Sequence, residues 1–160
     1  MMKLEDFGRN LKRLKKDMPK ITEKLAANEG EYLVRTAKRI CTESEPDVVN
    51  TGDFRNNFKK RVISGATVAV RLENNLEYAS HVEDGFRSHF VPGHWEGNVF
   101  VYEKGAKTGM FVGKPGGFVR GRYVLRRTMD ESAQNRPERL ERKLARYVEL
   151  YLDGSGGEGE

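Results

Sequence analysis

The sequence predicts an α+β protein: an antiparallel sheet with helices packed on one face, with a long kinked N-terminal helix and a C-terminal helix. Three observations predict this class. Apolar residues recur at steps of three and four near the N-terminus, as on one face of a helix. Segments in the middle of the chain alternate apolar and polar residues, as half-buried strands do. Helical spacing then returns after Pro137.

The N-terminal helix is predicted by an apolar stripe whose neighbours are mostly Lys and Arg. Pro19 lacks a backbone N–H, so we expect it to kink the helix or to restart it. Apolar residues recur from Tyr32 to Cys41, so the helix resumes to about Thr42, with Cys41 as a core residue. We assign residues 1–45 to a helical arm that is too long and polar for a small sheet to cover, so part of it is expected to pack on another subunit. The stripe consists of Leu4, Phe7, Leu11, Leu14, Met18, Ile21 and Leu25.

Residues 50–130 are predicted to contain the sheet and short helices. Turn chemistry at Pro46 and Thr51 ends the arm. Residues 54–64 and 67–75 read as two strands joined by a Ser-Gly turn, because apolar and polar residues alternate in the second of them.

The next segment, LEYASHVEDG, fits a short helix that ends at Gly85. Tyr78, Ala79 and Val82 are expected to form the packed face of this short helix. The following segment, FRSHFVPGHW (86–95), is expected to project as an arm.

The remaining elements follow in order. Residues 98–113 read as two short strands around a glycine-containing loop, and residues 123–135 as a short helix. A final helix over 135–152 is predicted because Pro137 suits a first helical turn. Residues 153–160 are Gly-rich and acidic, which predicts a flexible tail. We therefore expect a single domain over residues 1–152.

Composition limits the classes of function. The chain has 160 residues, of which 37% are hydrophobic and 33% charged, and a net charge of +5. This mild basicity tolerates an anionic neighbour such as nucleic acid without proving that one binds. The single cysteine cannot form an internal disulfide, and no signal peptide or membrane span is visible. We expect a cytosolic chain with no membrane partner.

No catalytic or metal-binding residue is predicted. His81, His89 and His94 do not follow a zinc-binding spacing and have no Cys partner. Glu77 and Glu83 stand six residues apart, so on a helix they point to different sides and cannot act as a pair. We expect that the protein is not an enzyme and that it binds no metal and no cofactor. A metal-dependent hydrolase that uses the histidines is kept as an alternative.

Two basic regions are candidates for binding nucleic acid. One is the polar face of the N-terminal helix, and the other is the segment VRGRYVLRR (119–127). Arginines interleaved with Tyr123 have the chemistry to hold phosphates. The alternative is a solvated helix face or ion pairs between subunits, and both interpretations stay open. The arginines of the second region are Arg120, Arg122, Arg126 and Arg127.

Three short motifs stand in order along the chain. The first is Thr51, Gly52, Phe54 and Arg55; the second is Tyr78, Ala79, Val82, Glu83, Gly85 and Arg87; the third is Phe118, Val119, Gly121 and Arg122. In this order they resemble the phage tail-component family, the small neck or tail-completion proteins encoded between the major capsid and tail tube genes. Residues 95–113 are most similar to the branch found in contractile-tailed phages and related defective prophages. The resemblance covers residues 6–151.

The resemblance implies a structural virion protein that forms a homo-oligomeric ring at the head–tail junction, around the DNA channel. A hexamer is expected because tail tubes are sixfold, with twelvefold symmetry as the alternative at the head side. The implied partners are copies of itself and neighbouring head–tail connector and tail proteins, with assembly in the host cytoplasm. The alternatives are a tail terminator that caps the tube, or a nucleic-acid-binding accessory protein that uses the cluster Arg120–Arg127.

Interface residues are expected on three segments: the N-terminal stripe, the projecting arm with exposed aromatics, and the glycine-rich loop 104–117 that adapts on docking. A mildly basic rim is expected beside DNA that passes without specific binding. The interface candidates are Leu4, Phe7, Leu11, Leu14, Phe90, Val91, Trp95, Met110 and Phe111, and the candidates for the rim are Arg120, Arg122, Arg126 and Arg127.

Overall fold

The structure, a computed structural model, describes residues 3–44 and 52–153. The element order confirms the predicted α+β class. The turn expected at Pro46 and Thr51 lies outside the described residues, as does all of the acidic tail after Asp153. The elements are α1 (Leu4–Glu43), α2 (Asp53–Asn56), β1 (Lys59–Ile63), β2 (Ala69–Glu73), α3 (Ala79–Asp84), β3 (Gly85–Arg87), β4 (His89–Glu96), β5 (Val99–Tyr102), β6 (Gly109–Val112), β7 (Phe118–Arg120) and α4 (Val124–Leu152).

The chain, predicted as one domain, divides into two compact units. The helical unit comprises Met1–Asn75 and Val124–Glu160, and it holds α1, α2, β1, β2 and α4. The sheet unit comprises Leu76–Tyr123 and holds α3 and β3 to β7. Within the described ranges, the strands form three small antiparallel sheets, of which one is in the helical unit and two are in the sheet unit.

Helix α1 runs through Pro19 without interruption, so the expected restart at this proline is wrong. Glu5 and Asp6 occupy the first turn, where carboxylates interact favourably with the positive end of the helix dipole. Of the predicted apolar stripe only Ile21 is buried, and the other buried apolar residues of the helix follow it. The buried apolar residues of α1 are Ile21, Leu33, Ala37, Ile40 and Cys41.

Helix α4 is one helix from Val124 to Leu152, so the prediction of two helices, with the second over 135–152, is wrong. Pro137 lies inside it and not in a first turn. The physical reason is that the segments on both sides of the proline bind the same residue of α1. Ser132 Oγ donates a hydrogen bond to Glu29 Oε1 (2.7 Å), and Arg139 Nη2 donates another (2.6 Å). These tertiary contacts outweigh the lost backbone hydrogen bond.

Helices α1 and α4 pack side by side in opposite directions. Asn10 near the start of α1 donates to the carbonyl of Leu152 at the end of α4 (3.1 Å). At the other end, Arg127 Nη1 donates to Ser44 Oγ (3.0 Å). Thr128 on α4 is fully buried, as are Val124 and Ser132 on the same helix and Ala37 and Cys41 on α1. Small side chains at this seam allow close approach of the two backbones.

The hairpin of β1 and β2 packs against α1. The alternation predicted for the second strand is confirmed, since Val70 and Leu72 are half-buried while Ala69 and Arg71 are exposed. The first strand was predicted too long, because residues 54–56 belong to helix α2. Phe54 in α2 and Phe58, which lies just before β1, bring their rings together at 5.2 Å, and both residues are buried.

In the sheet unit, β4 is the central strand of a three-stranded sheet in the order β5-β4-β6. The projecting arm predicted for residues 86–95 is therefore wrong, because this segment forms β3 and β4 and is paired along its length. The two short strands predicted within 98–113 are confirmed as β5 and β6. They pair with β4 on its two edges and not with each other.

Helix α3 ends at Gly85 as predicted, with φ of 85°, in the left-handed region that favours glycine. Strand β7 crosses here, and a Cβ on Gly121 would collide with the backbone of Glu83. The tight crossing is fixed by the amide of Arg122, which donates to the Val82 carbonyl (2.7 Å). The packed face expected for α3 is wrong in one respect, because Tyr78 precedes the helix and is exposed.

Candidate assembly surfaces

The first turns of α1 expose the apolar stripe. Leu4 is 86% exposed, and Phe7 and Leu11 are exposed as well, whereas Leu14 is half-buried. The pairing of Asn10 with Leu152 explains this gradient, because α4 ends beside the second turn of α1. The residues of α1 that precede Asn10 therefore extend past the end of α4. We call the exposed residues Leu4, Phe7 and Leu11 the α1 apolar end.

The three-stranded sheet carries exposed aromatic residues on both faces. Residues opposite each other in an antiparallel pair share a face, and neighbours along a strand alternate. Phe90 lies opposite Phe111 on one face, with ring centroids 5.5 Å apart. Trp95 lies opposite Phe100 on the other face, with centroids 5.3 Å apart. Trp95 is 57% exposed and Phe111 50%, so neither face is covered within the sheet unit.

The sheet unit has no buried apolar side chain among residues 76–123, all of which the structure describes. Its buried residues are Gly93 and Gly121. A sheet of this size ordinarily buries one face against another layer. The exposed apolar side chains of the unit include Tyr78, Phe90, Trp95, Val99, Tyr102, Phe111 and Phe118.

Two predicted interface residues are less exposed than expected. Val91 and Met110 lie opposite each other on β4 and β6, and both are half-buried. Val91 lies four positions from Trp95 along β4, so the two share a face of the sheet. Met110 lies opposite Val91 and is therefore on the same face. The expected exposure of Val91 is therefore wrong, because Val91 lies opposite Met110 within a sheet and not on a projecting arm.

The four predicted arginines are divided between the two units. Arg120 is exposed in β7, and Arg122 follows it half-buried, both in the sheet unit. Arg126 and Arg127 belong to the first turn of α4 in the helical unit. Arg127 donates a hydrogen bond to Ser44, so its side chain joins the start of α4 to the end of α1.

The three histidines contact carboxylates or an aromatic ring. His94 is near two exposed carboxylates, Glu96 at 3.3 Å and Glu103 at 3.5 Å. His81 and His89 each make an edge contact with the ring of Phe86. In the described part of the chain, no three His, Cys, Asp or Glu side chains come together as ligands for a metal ion.

Sequence reasoning missed a buried charged cluster between α1 and α4. Glu29 accepts the hydrogen bonds from Ser132 and Arg139, and its carboxylate lies 3.6 Å from Arg136 Nε. The Arg139 guanidinium carbon stands 3.6 Å from the centroid of the Tyr32 ring, a cation–π contact. A signal for Glu29 existed, because it falls in a row of every fourth residue that is otherwise apolar.

Within the described residues of the helical unit, three ionisable groups have shifted pKa values. The hydrogen bond and charge of Lys60 lower the pKa of Glu31, with Nζ 2.6 Å from Oε1. The hydrogen bond to Glu131 raises the pKa of Arg39. Burial, followed by the hydrogen bond to Asp17 (3.0 Å), raises the pKa of Tyr151. All three shifts are explained by contacts within the helical unit.

Two cavities lined by described residues of the helical unit were not identified from the sequence. The larger, of about 540 Å³, is mainly apolar and lies between α1, β2 and α4. The smaller, of about 360 Å³, lies between α1 and α4. We call the smaller one the basic groove. Its lining residues are Asn28, Lys143, Arg146, Tyr147 and Leu150.

None of the helices within residues 3–44 and 52–153 combines the length and apolar character needed to cross a bilayer. The fold and its surfaces define an α+β protein that displays much of its apolar surface, at the α1 apolar end and on both faces of the three-stranded sheet. Residues 5–85, half of the chain, match the family described as "Bacteriophage HK97-gp10, putative tail-component". The chain belongs to this HK97-gp10-like family of phage tail components, which confirms the family predicted from the motifs.

The match covers α1, the β1–β2 hairpin and α3, and it ends at Gly85. The third motif, at Phe118 to Arg122, lies beyond the matched residues. No curated protein and no solved structure matches the chain.

Proposed function

We propose that this protein is a structural virion component that assembles into a homo-oligomeric ring at the head–tail junction, around the DNA channel. It acts by packing against copies of itself and neighbouring connector and tail proteins, and it catalyses no reaction. Six copies match the symmetry of a tail tube. Membership of the tail-component family supports the virion location.

The observation that carries the proposal is the sheet unit without a buried apolar side chain. Exposed aromatic pairs on both faces leave apolar area in water that a neighbouring subunit would cover. Contacts on two faces suit a ring, because a heterologous interface uses two different patches of each subunit. The α1 apolar end offers a further contact of the same chemical kind.

The oligomeric state in solution provides the first test. We expect the purified full chain to form a closed oligomer by light scattering and a ring of one defined symmetry by electron microscopy. Replacing Leu4 and Phe7 with Asp is expected to abolish assembly and leave the protomer folded, because both side chains are exposed. Leu14→Asp is a poorer choice, since Leu14 is half-buried and its replacement also disturbs the protomer. A monomer at all concentrations would refute the ring.

The position along the tail axis provides the second test. Labelling the chain in intact particles for electron microscopy is expected to place it at the head–tail junction. If the label is found instead on the last ring of the tail tube, as a cap at its end, the protein is a tail terminator. Absence of the chain from mature particles would refute the structural role.

A further inference from the structure

The basic groove brings together cations from two turns of α4 and an amide from α1. Lys143 and Arg146 line it with Asn28 and Tyr147, and no acidic residue is among its lining residues. Within residues 3–44 and 52–153, neither Lys143 nor Arg146 makes a hydrogen bond or an ion pair. The groove therefore holds two uncompensated positive charges next to neutral hydrogen-bond donors.

A row of lysines on α1 leads to this groove. Lys16, Lys20 and Lys24 stand at steps of four that continue to Asn28, so they form a ridge on the helix surface. All three lysines are exposed, and none is paired in the part of the chain that the structure describes. From Lys16 to Asn28 the ridge extends about 18 Å along the helix axis. A linear array of this length matches an extended polyanion better than a single anionic group.

We propose that the basic groove and the lysine ridge bind the sugar-phosphate backbone of DNA. Lysine, arginine, asparagine and tyrosine side chains donate hydrogen bonds to phosphate oxygens in protein–DNA contacts. DNA is the polyanion that a subunit beside the DNA channel meets, so this choice of ligand rests on the proposed function. The contact is independent of base sequence, because hydrogen bonds to phosphate groups do not distinguish one base from another.

This site is an alternative to the arginine cluster predicted from the sequence. The arginines at 120, 122, 126 and 127 are divided between two compact units, and Arg127 holds Ser44. The groove lies within the helical unit alone. Sequence analysis had identified the basic face of the N-terminal helix as one of two candidates, but not its partner residues on α4.

The test measures DNA affinity of the full chain by fluorescence anisotropy, with a labelled 30-base-pair duplex over a range of salt concentrations. The variant Lys143→Glu with Arg146→Glu is expected to bind about tenfold or more weakly at low salt. The slope of log affinity against log salt is expected to fall in magnitude by about 2, because each lost phosphate contact removes about 1. Lys16→Glu with Lys20→Glu is a second variant that is expected to lower the slope in the same way.

Two matched variants separate the groove from overall charge. Lys104→Glu with Lys107→Glu makes the same change in net charge in an exposed loop of the sheet unit, and is expected to leave the slope unchanged. Arg120→Glu with Arg122→Glu tests the site predicted from the sequence and is also expected to leave it unchanged. The proposal is overturned if the groove variant behaves like the loop variant, or if the parent protein does not bind the duplex.

The same samples separate this inference from the proposed function. Light scattering reports assembly, so an assembled protein with no DNA affinity refutes the groove alone. A monomer that binds DNA through the groove refutes the ring alone. Competition by polyglutamate as effective as that by DNA, at equal charge, would identify an acidic protein segment as the occupant and overturn the assignment to DNA.

Discussion

Glu29 places a carboxylate in the seam between the two long helices. Its side chain is 10% exposed and that of Arg139 is 17% exposed, so both charges are largely removed from water. Such a pair is tolerated because Ser132, Arg136 and Arg139 all contact the carboxylate. The cluster joins the two segments of α4 that flank Pro137 to one point on α1.

Removing this charge is expected to destabilise the protein. Glu29→Gln leaves the Arg139 guanidinium buried without a counter-charge, so we expect the free energy of unfolding to fall by about 3 kcal/mol. Urea denaturation followed by circular dichroism measures this loss. The control is Arg9→Gln, which breaks the exposed pair with Asp6 and keeps the carboxylate of the first turn, and it is expected to cost less than about 0.5 kcal/mol. Equal losses for both variants would mean that the buried cluster does not stabilise the seam.

Tyr151 is expected to make stability fall at alkaline pH. Its folded-state pKa is raised by burial and by the hydrogen bond to Asp17, so the folded protein keeps the phenolic proton after the unfolded chain has lost it. This contribution is complete below the unfolded pKa of about 10 and is lost as the pH rises through the folded pKa. Tyr151→Phe is expected to flatten the decline in unfolding free energy above about pH 10. An unchanged profile would show that Tyr151 titrates alike in both states.

Sequence reasoning at the residue scale found the apolar core and missed the charged seam. Periodicity identifies Ile21 and Leu33 as inward-facing because an apolar side chain is itself the signal. Glu29 occupies the same face, but a charged residue on a helix is usually solvated, and its partner Arg139 is far away in sequence. A buried ion pair depends on two segments meeting, which single-sequence patterns do not encode.

At the scale of elements, the prolines show where local rules fail. Pro19 was expected to kink or to restart a helix, because proline lacks the N–H and crowds the preceding turn, and Pro137 was expected in the first turn of a helix. Both lie inside continuous helices. Around Pro137, the hydrogen bonds of Ser132 and Arg139 to Glu29 stabilise the continuous helix. The strands show a similar limit, since alternation located β5 and β6 but gave no sign that both pair with β4.

The position of Pro137 leads to a prediction that distinguishes one helix from two. Inside a helix, Pro137→Ala restores a backbone hydrogen bond and relieves a steric clash, so we expect the free energy of unfolding to rise by about 1 to 3 kcal/mol. In the first turn of a separate helix the N–H has no helical partner, and the same change would be nearly neutral. Guanidinium denaturation measures the difference. No gain in stability would favour the two-helix arrangement.

At the scale of the whole molecule, the two units differ in the burial of their apolar side chains. The helical unit buries its own core, which includes Ile40 and Phe58. In the sheet unit, residues 76–123, no apolar side chain is buried. The sequence could not reveal this division, because exposed and buried strands share the same alternation of residues. What the sequence did supply was the family, through short motifs whose order resembles the phage tail components.

This division predicts that exposed aromatics of the sheet unit contribute to assembly and little to the protomer's own stability. Trp95→Ser removes a large apolar side chain that is 57% exposed, so we expect an unchanged unfolding midpoint in dilute protein. Assembly is expected to weaken by about 2 kcal/mol, or about thirtyfold, as for a central aromatic in an interface. Sedimentation velocity over a range of concentrations measures the dissociation.

The matched control for Trp95→Ser is Ile63→Ser, which changes an exposed apolar residue of the helical unit and should leave assembly intact. A Trp95→Ser protein that unfolds more easily as a protomer would mean that the sheet unit already has its packing partner within the chain. If Trp95→Ser assembles as tightly as the parent protein, that face of the sheet is not an interface. The contacts between subunits would then have to come from the Phe90–Phe111 face and from the α1 apolar end.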